Sequence, residues 1–136
     1  MNSYTFLLLI SCFLLACGTK PNKQETITAS QWKLQGIVSR PFVTAKKDSI
    51  PAEPFQKETV QIIYQFHKDK KYTFLRGTQT DKGGWGMSSD EKVLLLRSHT
   101  QASENSEFHI HTIEASQLII STEHNGRQEI LYFAAK

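Results

Sequence analysis

Thr59-Val60-Gln61-Ile62-Ile63-Tyr64-Gln65-Phe66 is the stretch that identifies the fold class most directly. Apolar or aromatic side chains occupy every second position, at Val60, Ile62, Tyr64 and Phe66, and the residues between them are mostly polar. Side chains of a β-strand alternate between the two faces of a sheet, so a period of two predicts a strand with one buried face. The stretch therefore predicts a half-buried sheet.

Seven further segments have a similar composition. They are residues 31–38, 71–76, 84–88, 93–97, 107–113, 117–122 and 129–134. The connections between them are short and rich in turn-forming residues, of which Asn125-Gly126 is the strongest hairpin signal. Short connections require antiparallel neighbours. We expect an all-β fold, an eight-stranded antiparallel up-and-down barrel, because closure removes the exposed edges of the sheet. One short helical turn is expected before the first strand, over residues 26–30.

One connection is long. Residues 39–57 hold three prolines and several apolar side chains, among them Phe42 and Phe55. Loops of this length in a compact domain are usually either functional or disordered. The prolines restrict the chain and the apolar residues can pack, so we expect an ordered flap over the mouth of the barrel, with a disordered loop as the alternative.

Alternation along the strands also predicts which side chains face the barrel interior. They are Trp32, Leu34, Val60, Ile62, Tyr64, Phe66, Tyr72, Phe74, Trp85, Met87, Leu94, Leu96, Phe108, Ile110, Leu118, Ile120, Leu131 and Phe133. An eight-stranded barrel is just wide enough to be filled by its own side chains or to hold one small ligand. Candidate ligand-binding residues of the interior and flap are Trp32, Leu34, Phe42, Phe55, Tyr64, Phe66, Tyr72, Phe74, Trp85, Met87 and Phe108.

The amino terminus carries an apolar run over residues 6–15, followed by Ala16, Cys17 and Gly18. The run has the length of a signal-peptide core and is shorter than the ~20 residues that a membrane-spanning helix needs. Leu-Leu-Ala-Cys-Gly resembles the lipobox of bacterial lipoproteins. That resemblance implies cleavage before Cys17, acylation of Cys17 and anchoring to a membrane through the acyl chains. Residues 1–16 are then a signal peptide, 17–26 a lipidated flexible tether, and 27–136 the barrel domain.

Composition limits the classes of partner. Sixteen Lys and Arg against thirteen Asp and Glu give a net charge of +3, with both signs scattered along the chain, so the sequence does not indicate a nucleic-acid partner. The two cysteines are Cys12, in the discarded segment, and Cys17, so the mature domain is expected to have neither a disulfide nor a free thiol. We expect a monomer.

Few residues suggest other chemistry. His109 and His111 lie two apart on a predicted strand, where such a pair can bind a divalent metal, but they alternate with Phe108 and Ile110 and are expected to face solvent. The serines lie in turns, and none has the setting of an activated nucleophile. We therefore expect no enzyme activity, no metal site and no cofactor.

Three groups of residues together resemble the lipocalin-like domains of small lipoproteins from Bacteroidetes-type bacteria. The first group is Trp32-Lys33-Leu34. The second comprises Phe66–Phe74, Gly84–Met87 and Val93–Leu96. The third runs from Phe108 through Leu118-Ile119-Ile120 to Tyr132-Phe133. The resemblance covers nearly the whole mature chain. It implies a barrel that binds a small apolar or amphipathic ligand, and lipoproteins of this kind without an acidic residue after the cysteine are typical of the outer membrane, facing the periplasm. The alternative is a filled barrel that acts as a protein–protein interaction or inhibitor module.

Overall fold

The computed structural model describes residues 18–19, 21–41, 56–57, 60–100 and 105–136. These residues form one helix and nine strands. The helix is α1 (Lys23–Thr28), and the strands are β1 (Gln31–Pro41), β2 (Gln56–Lys57), β3 (Ile62–Phe66), β4 (Lys71–Arg76), β5 (Gln79–Met87), β6 (Val93–Ser98), β7 (Asn105–Ile113), β8 (Gln117–His124) and β9 (Arg127–Ala135). Within the described part of the chain, no helix is both long and apolar enough to cross a membrane.

The strands form a closed antiparallel barrel. Each strand from β3 to β8 pairs with the next one along the chain, and β1 closes the ring by pairing with β3 on one edge and β9 on the other. The short β2 pairs with Gly36 and Ile37 of β1, on the same edge as β3. The expected eight-stranded up-and-down barrel is confirmed, and β2 is a small addition to it.

The helix α1 closes one end of the barrel. Asn22 caps it, because its side-chain oxygen accepts a hydrogen bond from the Glu25 amide over 2.7 Å. Ile27 is fully buried in the barrel core, and the helix contacts β3 and β7. The helix begins earlier than the expected turn over residues 26–30, since the Asn22 cap fixes its start. It takes up the last residues of the segment that the sequence predicts as a tether.

Two polar contacts attach α1 to the turns beside it. Lys23 donates to the Glu91 carbonyl over 2.9 Å. Lys70 donates to the Gln24 side chain, and its ammonium also lies 4.2 Å from the centre of the Trp85 ring. We call this end of the barrel the closed end. We call the opposite end, where the β4–β5 and β8–β9 hairpins turn, the open end, because no helix among the described residues lies across it.

The barrel core matches the predicted interior at every position but one. All other predicted residues belong to the core cluster or pack against it. Val60 is the exception, since it is 41 % exposed and precedes β3, which begins only at Ile62. Pattern alone extended the strand too far toward its amino-terminal end, where the chain has not yet entered the sheet.

Bulges adjust which residues face inward. The register between β1 and β9 shifts between Leu34 and Gly36, so that Ile37 packs against the core after the bulge. A second shift between Ile110 and Thr112 in β7 includes His111.

The outer face of β8 and β9 is buried as well. Ile130 lies on the opposite face from Phe133 and yet has no exposed surface, and Ile119 and Gln128 are also buried. The sheet here has two buried faces, which agrees with the uninterrupted apolar run Leu118-Ile119-Ile120 rather than with strict alternation.

The end of β1 and the start of β5 differ from the predictions. β1 continues to Pro41, so the long connection begins later than residue 39. β5 begins at Gln79, and residues 80–83, predicted as a turn, are strand. Phe42 and Phe55, with most of the predicted flap, lie outside the described residues, as does Cys17.

Candidate functional site

The closed half of the barrel interior, the lumen, is tightly packed. Trp32, Phe66 and Phe133 are among the largest fully buried side chains. The Phe66 and Trp85 rings meet edge to face with centroids 5.6 Å apart. The Trp32 indole donates to the Ile27 carbonyl and the Trp85 indole to the His67 carbonyl, over 2.8 and 2.9 Å. This half of the lumen is filled by the protein itself.

The lumen wall toward the open end is only partly buried. Its apolar residues pack against the core but keep exposed surface. They are Ile37, Ile62, Tyr64, Phe74 and Leu131. Because these side chains face inward, their exposed surface forms an apolar wall at the mouth of the lumen.

Tyr64 joins the two halves. Its ring lies 4.7 Å from Phe74 toward the open end and 5.7 Å from Phe66 toward the closed end, measured between centroids. Burial raises the pKa of the Tyr64 hydroxyl, and the neighbouring Tyr72 and Asp81 raise it further. No described residue forms a hydrogen bond with this hydroxyl group.

A polar cluster sits on the same wall. Asp81 faces inward from β5, opposite Phe74, because it alternates with the buried Gly83 and Trp85. Its carboxylate accepts hydrogen bonds from the hydroxyls of Tyr72 (3.3 Å), Ser98 (3.0 Å) and Thr100 (2.5 Å), and from the Lys82 amide (2.8 Å). We call Asp81, Tyr72, Ser98 and Thr100 the lumen polar cluster.

These hydrogen bonds set the charge of the cluster. Partial burial favours the protonated form of Asp81, but the hydrogen bonds from Thr100, the Lys82 amide, Ser98 and Tyr72 outweigh it and lower the pKa of the carboxyl group. Asp81 is therefore an ionised carboxylate at neutral pH. The pKa of Tyr72 is raised to about 12, by burial first and then by the charge of Asp81.

Gly83 makes this arrangement possible. A Cβ at this position would lie 2.0 Å from the Arg97 carbonyl oxygen and 2.6 Å from the Tyr72 ring. Only a residue without a side chain lets the Tyr72 ring lie across β5, with its hydroxyl group directed at Asp81.

The two histidines of β7 lie on the outer wall. Their rings meet edge to face with centroids 4.8 Å apart, and Nε2 of His111 lies 2.8 Å from the Ser121 hydroxyl. Both are half-buried, whereas the sequence predicts that they face solvent. His111 lies in the bulge of β7 and bonds to Ser121 of β8. Among the described residues, no group of three metal-ligating side chains is present.

The structure brings most of the predicted site residues into one cluster. Trp32, Leu34, Tyr64, Phe66, Tyr72, Phe74, Trp85, Met87 and Phe108 all belong to or contact the core. Sequence reasoning missed Asp81, Ser98 and Thr100. Asp81 falls in the connection that the sequence predicts between residues 76 and 84, although the alternation of Met87, Trp85 and Gly83 extends back to it.

A separate groove of about 440 Å³ crosses the outer wall. It runs over Gly84 and Gly86, which lack side chains, and past Leu95, which is 40 % exposed. Trp85 and Leu96, which also line the groove, belong to the barrel core, whereas Leu95 between them in the pattern faces outward.

No family model and no curated protein matches this sequence. The function is therefore argued from the residues of the site.

Proposed function

We propose that this chain is a membrane-anchored lipoprotein whose lipocalin-like barrel binds a small apolar or amphipathic ligand. The observation that carries the proposal is the asymmetry of the lumen. One end is sealed by α1 and filled by Trp32 and Phe133, whereas the other presents partly exposed apolar side chains beside the carboxylate of Asp81. Apolar walls with a few placed polar groups are the usual lining of small-molecule sites.

Binding of a neutral fluorescent probe, N-phenyl-1-naphthylamine, tests the proposal. The protein should bind the probe and increase its fluorescence. Phe74→Trp enlarges a side chain of the lumen wall and should weaken binding about tenfold, because it occupies the space that the probe needs. Leu95→Trp is the matched control, since Leu95 faces outward, and its affinity should equal that of the wild type. Absence of probe binding, or equal effects of the two substitutions, would contradict a lumen site.

The anchor is tested at the two cysteines. An alkyne analogue of palmitate should label the wild-type protein in cells, and the labelled protein should sediment with outer membranes. Cys17→Ser should abolish both results, whereas Cys12→Ser should leave them unchanged because Cys12 lies in the cleaved segment. Retention of the label in Cys17→Ser would remove the anchor from the proposal.

The proposed anchor also sets the orientation of the barrel. Only residues 18–22 separate Cys17 from α1, and even when fully extended this connection reaches roughly 20 Å. Since α1 lies at the closed end, that end stays near the membrane and the lumen mouth faces away from it. The ligand then enters from the aqueous side.

Single-cysteine labels can measure this orientation, because the proposed mature domain has no other free thiol. A fluorophore on Asp69→Cys, in the β3–β4 turn at the closed end, should be quenched by spin-labelled lipid. The same label on Thr78→Cys, in the β4–β5 turn at the open end, should be quenched much less. The reverse order would show that the mouth faces the lipid.

The outer groove supports a second candidate, a protein–protein interaction module. Leu95 is exposed beside two glycines, which gives a partner access to the backbone of β5. Cross-linking in intact cells should then recover one stoichiometric partner, and Leu95→Lys should abolish its recovery without affecting probe binding. Recovery that Leu95→Lys does not change would exclude the groove as the interface.

A further inference from the structure

The lumen polar cluster carries a charge that its own neighbours do not neutralise. The Asp81 carboxylate is held by three hydroxyl groups and one backbone amide. Hydroxyl groups orient and stabilise a carboxylate but leave its negative charge in place. Among the residues that the structure describes, no lysine or arginine forms an ion pair with Asp81.

A second polar group nearby has capacity for a partner. The Tyr64 hydroxyl lies on the same lumen wall, and none of the described residues forms a hydrogen bond with it. Since no buried side-chain oxygen among the described residues lacks a hydrogen-bond partner, the Tyr64 hydroxyl group reaches solvent and is accessible to a ligand. Its ring lies 6.2 Å from that of Tyr72, which itself donates to Asp81. Within the described part of the chain, the Asp81 carboxylate without an ion-pair partner and the accessible Tyr64 hydroxyl group therefore lie on one wall of the lumen.

The surroundings of these groups are apolar and aromatic. Phe74 lies directly across from Asp81 in the β4–β5 pair and packs on Tyr64 at 4.7 Å. Ile62 lies one pleat nearer the open end, on β3. A cationic nitrogen placed here would meet the Asp81 carboxylate and an acceptor oxygen on Tyr64, both of which attract cations.

We propose that the lumen binds an amphiphile with an ammonium head group, the nitrogen held by Asp81 and Tyr64 and the chain packed against Ile62 and Phe74. This inference rests on the proposed function, since it specifies the ligand class of the same site. A carboxylate head group would instead meet the like charge of Asp81, so the site selects against fatty acids.

Competition among three ligands of equal chain length tests the proposal. Dodecylammonium, dodecanol and dodecanoate, each below its critical micelle concentration, compete for N-phenyl-1-naphthylamine bound to the wild-type protein. Dodecylammonium should bind about tenfold more tightly than dodecanol, because a charge-assisted hydrogen bond replaces a neutral one. Dodecanoate should bind more weakly than either. Dodecanoate binding as tightly as dodecylammonium would overturn the proposal.

Substitution of Asp81 tests whether its charge is the source of the preference for dodecylammonium over dodecanol. Asp81→Asn keeps the size of the side chain and removes its charge, so dodecylammonium and dodecanol should then compete about equally, within roughly twofold. Asp90→Asn is the matched control, since Asp90 is also held by a hydroxyl group, that of Ser88, but lies in an exposed turn outside the lumen. That variant should keep the wild-type preference.

The outcomes separate the two proposals. An unchanged preference in Asp81→Asn overturns the ammonium site while probe binding still supports the lumen as a ligand site. Absence of probe binding and of any competitor effect overturns both. The wild-type competition needs no variant, so it decides the question even if Asp81→Asn does not fold.

Discussion

The Trp32 indole nitrogen donates a hydrogen bond to the Ile27 carbonyl oxygen over 2.8 Å, and neither residue has any exposed surface. This bond connects the first strand of the barrel to the helix that closes its end. Trp32→Phe keeps an aromatic ring but leaves a buried carbonyl without its donor. We expect the free energy of unfolding to fall by about 1–3 kcal/mol, measured by urea denaturation.

Trp85→Phe is the comparison for that change. The Trp85 indole makes the same kind of bond, to the His67 carbonyl, but in a turn that is only partly buried. Water can replace the lost donor there, so the loss of stability should be smaller. Equal losses in the two variants would mean that the buried bond does not account for the effect at Trp32.

Two glycines of β5 should respond in opposite ways to the same substitution. Gly83→Ala places a methyl group within 2.0 Å of a backbone oxygen and should destabilise the protein by about 1–3 kcal/mol or more. Gly86→Ala meets nothing within 4 Å and should be neutral or slightly stabilising. Thermal unfolding of both variants measures the difference, and similar melting temperatures would disprove the close approach of Tyr72 to Gly83.

The β8–β9 turn depends on backbone conformation. Asn125 and Gly126 both have positive φ, 50° and 70°, as a two-residue primed hairpin turn requires. Gly126→Ala should cost about 1 kcal/mol of unfolding free energy, because a Cβ disfavours this conformation. Asn125→Gly is the control and should preserve stability. A stable Gly126→Ala variant would indicate that the turn adopts another conformation.

Stability should fall in acid partly through Asp81. The pKa of Asp81 is lower in the folded protein than the ordinary ~3.9 of an unfolded chain. The contribution of Asp81 to the free energy of unfolding is therefore fully present above pH ~3.9, and it is lost as the pH falls through the pKa of the folded protein. Melting temperatures of Asp81→Asn should therefore change less than those of the wild type on acidification. Parallel curves for the two proteins would show that the hydroxyl groups do not stabilise the charge.

Alkaline titration should identify Tyr72. The pKa of Tyr72 is raised to about 12. In the difference spectrum between the wild type and Tyr72→Phe, the phenolate absorbance of Tyr72 should therefore appear near pH 12 rather than near pH 10. The raised value contributes stability below about pH 10 that is lost as the pH rises through the folded value. Asp81→Asn should shift this titration to lower pH. A difference spectrum that titrates near 10 would place Tyr72 in water.

The sequence was sufficient to predict the barrel because each strand carries its own period of two. Residues 71–76 form a strand with the predicted bounds, and the interior position of Tyr72 and Phe74 follows from alternation alone. The strand ends were harder to predict. At Asp81 the local preference for a turn is overridden by pairing with Phe74 on the neighbouring strand, and only the register shows this.

For the same reason, only the apolar part of the candidate site could be predicted from the sequence. Its apolar wall consists of residues such as Phe74 that alternate within single strands. Its polar cluster joins Tyr72 of β4, Asp81 of β5 and Ser98 of β6, which come together only when three strands are in register. The spacing of Tyr72, Asp81 and Ser98 along the chain does not predict that they lie close together. Likewise, the burial of Ile130 on the outer face, beside the polar but also buried Gln128, does not follow from the alternation along β9.

The pairing of β1 with β9 has a consequence for how the molecule assembles. The first long strand, β1, pairs with the last strand, β9, and Trp32 lies opposite Ala135 in that pair. The pair can therefore form only after β9 has been synthesised. A nascent chain that lacks β9 has unpaired edges on β1 and β8, and either edge can pair with another copy of the chain. Because closure of a barrel removes unpaired strand edges, we expect the nine residues of β9, which complete the ring, to decide when the exposed edges disappear.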